Sequence, residues 1–120
     1  MSMKLTIRSQ DDSVVRLSCE GAIRQIPLAP GHDPLEELLG ADAFRRRVLV
    51  DLEKADFIDS SGIGWMIVCQ KHFVQAGGKL VFHSAPPLVQ QVFDLLQLQR
   101  VLNVAADEAA ARALAQEGRP

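Results

Sequence analysis

The sequence has few of the features that mark metalloproteins, secreted proteins and membrane proteins. It contains two cysteines, Cys19 and Cys69, with no Cys-x-x-Cys pair and no Cys/His spacing typical of a metal site. No apolar segment approaches the length that spans a bilayer, and Met1 to Lys4 lead directly into a strand pattern instead of a signal peptide's apolar region. We therefore expect buried cysteines, no metal, no cofactor, no membrane span and a cytoplasmic location.

The sequence also lacks a surplus of positive charge. Thirteen Lys and Arg residues stand against 15 Asp and Glu, a formal net charge of -2, which does not favour binding to nucleic acid. The one basic cluster, Arg45 to Arg47, precedes the apolar run Val48 to Val50 and is interpreted as the solvated start of a strand. A length of 120 residues with 48% hydrophobic composition predicts a single domain over residues 1–120.

The first third of the chain predicts a hairpin followed by a loop and a short helix. Residues 4–8 alternate polar and apolar side chains, and residues 14–19 form a second strand pattern that Gly21 is expected to end. Residues 22–33 are irregular and rich in proline, which predicts a loop. Asp33 is suited to cap the short helix that follows.

The rest of the chain alternates strands with helices, which predicts parallel pairing with right-handed crossovers. The predicted order is strand 48–52, helix 61–76, strand 79–83, a helix beginning within 84–87, strand 101–104 and a helix capped by Asp107. Together with the hairpin, this predicts an α/β fold with a mixed sheet of about five strands and about four helices. The predicted core of the domain runs from about residue 4 to residue 116.

Two of these helices have faces that the apolar spacing identifies as buried. In the helix over 61–76 the face comprises Ile63, Met66, Ile67, Gln70 and Val74. In the helix that follows it comprises Leu88, Val89, Val92, Phe93 and Leu96. Trp65 has two interpretations: an exposed anchor for a partner, or a core residue beneath the loop of residues 22–33.

The most informative segment is the run Asp59-Ser60-Ser61-Gly62, where a buried strand gives way to a helix. In a purely structural interpretation Asp59 and the two serines cap the helix, and Gly62 and Gly64 allow close packing. In a functional interpretation a phosphate on Ser61 adds a charge of roughly -1.5 to -2 at a helix N-terminus, where the backbone tolerates it. Such a phosphate would alter a docking surface and leave the fold intact.

Residues 48–64, with the run Asp59-Ser60-Ser61-Gly62-Ile63-Gly64, resemble the STAS domain of anti-sigma factor antagonists. The segments 77–81 and 86–98 match the layout of that family as well, so the resemblance covers about residues 4–116. It implies a STAS-like α/β fold and a non-catalytic regulatory protein. In that family the second serine of the motif accepts a phosphate from an anti-sigma factor that is also a serine kinase.

By position, the resemblance makes Ser61 the phosphorylated residue. It implies that the unphosphorylated protein binds the anti-sigma factor and releases the sigma factor, and that a PP2C-type phosphatase resets the switch. It also places Asp59, Ser60, Gly62 and Ile63 on the partner-binding surface.

The chain departs from the family after its second strand. Members often have Gly-Glu-Leu-Asp there, whereas this sequence has Gly21-Ala22-Ile23-Arg24 and lacks both acidic residues. Because the region lies beside the phosphorylation site in such proteins, Gly21, Ala22 and Ile23 join the expected partner surface. The departure leaves open a different kinase, or a stressosome-like scaffold or ligand-sensing module, for lipids or small molecules, that works without phosphorylation.

A serine hydrolase is the alternative of another class, with Ser61 as nucleophile and His72 or His83 as base. The sequence has no Gly-x-Ser-x-Gly elbow. His72 lies eleven residues further along the same predicted helix, roughly 16 Å at 1.5 Å per residue, which is too far for a base. His83 ends a strand, where a core or surface role is the simpler interpretation, and His32 lies in the loop. An enzyme is therefore the weaker hypothesis. A nucleotide site is also disfavoured, because the segment lacks the lysine of a P-loop.

Overall fold

The computed structural model describes residues 3–11, 13–24, 26 and 33–117. The strands are β1 (Lys4–Gln10), β2 (Val15–Ile23), β3 (Arg47–Ile58), β4 (Lys79–His83) and β5 (Asn103–Ala105). The α-helices are α1 (Pro34–Leu39), α2 (Ser60–Ala76), α3 (Pro87–Leu95) and α4 (Glu108–Gln116), and short 3-10 turns cover Ala43–Arg45 and Leu98–Arg100. The predicted loop from residue 22 to residue 33 falls largely outside the described residues.

The five strands form one sheet in the order β1-β2-β3-β4-β5. β1 pairs antiparallel with β2, and every later pair is parallel. This confirms the predicted mixed sheet of five strands with four helices. The helices alternate with the parallel strands because each parallel pair needs a crossover connection, which is usually a helix. Within the described ranges, no helix combines the length and the apolarity that a bilayer crossing requires.

The two central strands are longer than the sequence indicates. β3 continues from the predicted end at residue 52 to Ile58, and β2 continues through Gly21 to Ile23. The prediction that Gly21 ends its strand is wrong. Gly21 has a φ of 85° and adjoins a shift in the β2–β3 register, so it bends the strand at a bulge. As a result Ile23 pairs with Ile58 at the far end of both strands.

The buried face of α2 is rotated from the predicted one. Trp65, Met66, Cys69 and Phe73 are buried, whereas Val74 is 67% exposed. On α3 the buried side chains are Val89 and Phe93, and the predicted core residues Leu88 and Leu96 are more than half exposed. Apolar spacing left several overlapping faces possible on each helix, and the packing against the sheet selects one of them.

A polar contact inside the core joins α1 to α2. Asp33 caps α1 through Oδ1, which accepts a hydrogen bond from the Leu35 amide at 2.8 Å. Its Oδ2 accepts hydrogen bonds from the Trp65 indole at 3.3 Å and the Cys69 thiol at 3.2 Å. Trp65 is 1% exposed, so the interpretation of this residue as an exposed anchor is wrong.

Both cysteines are buried and unpaired, as expected. Burial raises the pKa of the Cys19 thiol to about 12. Burial also raises the pKa of the Cys69 thiol, and the charge of Asp33 raises it further. Both therefore remain protonated at neutral pH and act as small core residues.

Candidate functional site

The candidate site lies where β3 ends and α2 begins. Ile58 is buried as the last residue of β3, and Asp59 alone connects it to the first helical residue, Ser60. Because β2 runs parallel to β3 and Ile23 is aligned with Ile58, the end of β2 lies at the same edge of the sheet. The sheet thus brings two distant segments of sequence to one place.

Asp59 organises the start of α2. Its Oδ1 accepts hydrogen bonds from the backbone amides of Ser61 at 3.0 Å and Gly62 at 3.1 Å, the second and third helical residues. The same oxygen accepts a hydrogen bond from the Ser61 hydroxyl at 2.7 Å. Asp59 is therefore the cap of this helix, as one part of the capping prediction had it. The other part, a serine at that position, is wrong, because both serines lie inside the first turn.

The hydrogen bond from the Ser61 hydroxyl is the main cause that lowers the pKa of Asp59, followed by the bond from the Gly62 amide. The positive charge of Arg24 lowers this pKa as well. Asp59 is therefore ionised at neutral pH. A permanent carboxylate acceptor holds the Ser61 hydroxyl in one orientation at the exposed surface.

Gly62 fixes the first turn of α2 against the end of β2. A Cβ atom built on Gly62 would lie 1.9 Å from the carbonyl oxygen of Ile23, so only glycine allows this approach. The Asp59 amide also points to that oxygen, at 3.5 Å. The serines of the motif are thus anchored to the core through Gly62, although Ser60 and Ser61 themselves are exposed.

The remaining residues predicted for the partner surface differ in their burial and in their distance from the motif. Ile63 is half-buried beside the motif. Ala22 and Ile23 are buried, so their side chains belong to the core and support the surface from beneath. Gly21 is half-buried and is aligned with Ala55, four residues before Asp59, which places it further along the sheet.

Sequence analysis did not assign a role to Arg24 and Phe57. Phe57 is 41% exposed, and the Arg24 guanidinium carbon lies 5.7 Å from the centre of its ring. The signal was in the sequence: if the strand is extended to Ile58, period-two alternation places Phe57 on the face opposite Ile58. Arg24 and Phe57 add a cationic and aromatic pair to the site.

The described histidines lie far from Ser61. His72 packs against Phe44 in a tilted arrangement with ring centroids 4.8 Å apart, toward the other end of α2. His83 is buried, and its Nδ1 lies 2.8 Å from the Ser84 hydroxyl. It is aligned with Asp51, eight residues before Asp59, or roughly 26 Å along a strand at 3.3 Å per residue. His32 lies outside the described residues, and within them no group of three His, Cys, Asp or Glu side chains could hold a metal ion.

Comparison with known proteins bears on this geometry. The family model described as STAS domain matches residues 6–111. The chain is 29% identical over 113 residues to BtrV of Bordetella bronchiseptica, provisionally named an anti-sigma factor antagonist, and the match covers 92% of this chain and 93% of that protein.

Two solved structures have the same fold. One is the unphosphorylated form of the anti-sigma factor antagonist SpoIIAA, with a TM-score of 0.62 and 14% identity, covering 97% of this chain and 100% of that one. The other is an anti-sigma factor antagonist (STAS) domain protein from Planctomyces limnophilus, with a TM-score of 0.60 and 21% identity, covering the same shares of the two chains.

Proposed function

The chain belongs to the STAS domain family, and we propose that it is an anti-sigma factor antagonist regulated at Ser61. In this proposal the unphosphorylated protein binds an anti-sigma factor with serine kinase activity in the cytoplasm. Phosphorylation of Ser61 then ends that binding. The observation that supports it best is the exposed Ser61 hydroxyl, held 2.7 Å from Asp59 at the start of α2.

The chemistry of the switch is a phosphoryl transfer. The kinase moves the γ-phosphoryl group of a nucleoside triphosphate to Oγ of Ser61, the nucleoside diphosphate departs, and the hydroxyl proton is released to solvent. A PP2C-type phosphatase restores the hydroxyl by hydrolysis and releases inorganic phosphate. The esterified oxygen has no proton to donate, so phosphorylation removes the side-chain hydrogen bond from Ser61 to Asp59.

The fold is expected to survive this change. The backbone amides of Ser61 and Gly62 can still donate to Asp59, and the N-terminus of α2 favours a negative group. The surface, in contrast, gains a charge of roughly -1.5 to -2, which repels acidic groups of a docked partner and is costly to desolvate. Phosphorylation therefore acts on the partner complex and not on the folded state.

The proposed binding surface combines direct and supporting residues. Asp59, Ser60 and Ser61 present side chains to the partner, and Ile63 lies beside them. The buried set consists of Gly62, Ala22 and Ile23, which hold the exposed residues in place from below.

The phosphorylation site can be tested by mass spectrometry of the protein from its native host. Trypsin is expected to release the peptide from Ala55 to Lys71, in which Ser60 and Ser61 are the only hydroxyl-bearing residues. A phosphate localised to Ser61 supports the proposal. Its absence in both resting and stressed cells would favour a scaffold or ligand-sensing role.

The switch can be tested by calorimetric titration of the host's anti-sigma factor kinase into three variants. Ser61→Ala should bind like the wild type and resist inactivation by the kinase and ATP, whereas Ser61→Asp should bind at least tenfold more weakly, a loss of about 1.4 kcal/mol. Ser60→Ala is the matched control and should be both bound and inactivated. Wild-type affinity in Ser61→Asp, with an intact fold by circular dichroism, would contradict the proposal.

A further inference from the structure

Arg24 directly follows the end of β2 and has hydrogen-bonding capacity that the rest of the described structure does not use. It follows Ile23, whose carbonyl oxygen contacts the first turn of α2 at Gly62. Its guanidinium rests over the exposed ring of Phe57. Its Nε is buried and has no hydrogen-bond partner among the described residues. This N–H is therefore available to donate to an acceptor that is added to the site.

The electrostatics of the site give the same indication. Among the described residues, Arg24 is the cation whose charge contributes to the lowered pKa of Asp59, so its field reaches the carboxylate that holds Ser61. A phosphate on Ser61 would lie beside that carboxylate and be repelled by it. The N-terminus of α2 offers only roughly half a positive charge in compensation. A nearby cation would therefore stabilise a dianion at this position.

We propose that Arg24 is the counter-cation for a phosphate on Ser61, which it reaches by turning its guanidinium from the Phe57 ring toward the phosphate oxygens. The inference rests on the proposed phosphorylation of Ser61 and concerns the regulation of that site. A guanidinium presents several N–H groups in a planar fork that matches phosphate oxygens, and such charge-assisted hydrogen bonds are stronger than a contact with an exposed aromatic ring. Arg24 is a positioning residue in this role, because it fixes the phosphate and takes no part in its transfer.

This arrangement would make phosphorylation change the surface twice. The phosphate adds negative charge, and the ion pair withdraws the Arg24 guanidinium from the surface around Phe57. The departure at Gly21-Ala22-Ile23-Arg24 then has a physical meaning, because an acidic residue at position 24 would repel the phosphate that arginine binds.

The test uses the full chain carrying phosphoserine incorporated at position 61 during translation, so that neither kinase nor partner is needed. Phosphorus NMR follows the second pKa of the phosphate, which is about 6 in a free phosphoserine. Arg24→Gln should raise this pKa by about one unit relative to the wild type, because a neighbouring cation favours the dianion. Arg24→Lys should keep part of the effect. Arg45→Gln is the matched control, since Arg45 is exposed at the opposite end of β3, and should leave the pKa unchanged.

A second measurement needs no variant. In nitrogen-labelled wild type, the Nε–H resonance of Arg24 should move on phosphorylation and return after phosphatase treatment. An unmoved Nε–H resonance, or equal phosphate pKa values in the wild type and Arg24→Gln, would overturn the role of Arg24. Neither result depends on whether cells phosphorylate Ser61, which the peptide analysis decides separately.

Discussion

Asp33 and Asp59 perform the same local task in very different surroundings. Each caps a helix through Oδ1, Asp33 at α1 and Asp59 at α2. Asp33 is buried, and its second oxygen accepts hydrogen bonds from Trp65 and Cys69 in the core. Asp59 is at the surface, and its capping oxygen also accepts a hydrogen bond from the exposed Ser61 hydroxyl.

The comparison shows how one residue type can join two helices in the core and, elsewhere, orient an exposed hydroxyl. The hydrogen bonds of Asp33 join two helices in a region that excludes water, where losing them is costly. The hydrogen bond from Ser61 is exposed to water, so it can be lost without harm to the fold. A site that is chemically modified and restored needs the second kind of contact.

Replacing Asp33 should have the largest effect on stability. Asp33→Ala removes a helix cap and leaves the Trp65 indole N–H without its acceptor in the core. We expect a loss of about 3 kcal/mol, the sum of about 1 for the cap and about 2 for the unsatisfied group. Urea denaturation measures it. Asp107→Ala is the control, since Asp107 caps α4 at the exposed surface and should cost only about 1 kcal/mol.

The next effect tests how the surface cap is anchored to the core. Gly62→Ala places a Cβ atom against the Ile23 carbonyl, a backbone atom that cannot turn away, and should cost about 2 kcal/mol. Gly64→Ala, two residues later in the same helix, meets nothing within 4 Å and should stabilise the protein by up to about 1 kcal/mol. Thermal unfolding of both variants distinguishes the two glycines. Equal behaviour would show that Gly62 is not held against β2.

A smaller effect concerns the stability of the folded protein at low pH. The pKa of Asp59 is lowered in the folded protein, so its ionised form contributes stability above the ordinary carboxyl pKa, and that contribution is lost as the pH falls through the lowered value. Asp59→Asn keeps a capping side chain that does not titrate. The stability difference between wild type and Asp59→Asn should therefore shrink between about pH 5 and about pH 2. A difference that stays constant in denaturation curves over this range would contradict the assignment.

Ser61→Ala should have the smallest effect on stability. It removes an exposed side-chain hydrogen bond, while the backbone amide of residue 61 still donates to Asp59. We expect a change of less than about 0.5 kcal/mol in urea denaturation. A loss of stability as large as that of Asp33→Ala would show that the Ser61 hydrogen bond holds the fold together. The contrast between the buried cap and the exposed cap would then be wrong.

Sequence analysis predicted the fold class because the period of apolar residues switches between two and 3.6 along the chain. It named Ser61 and its neighbours as a candidate site because they are contiguous and follow a buried strand. It did not predict the end of β3, because residues 53–57 contain three charged side chains that a partly exposed strand tolerates. Nor did it predict the pairing of Ile23 with Ile58, which brings the end of β2 to the start of α2, because the bulge at Gly21 fixes that register and only the folded sheet reveals it.

The burial of Trp65 has a consequence for spectroscopy. It is the only tryptophan of the chain, it lies four residues after Ser61, and its indole is hydrogen-bonded inside the core. Its fluorescence therefore needs no attached label and should emit at short wavelength in the folded state, with a red shift on unfolding. Because the ring is shielded from the surface, a partner that docks at Ser61 should leave this emission almost unchanged. The chain thus carries an optical signal that separates loss of fold from loss of binding.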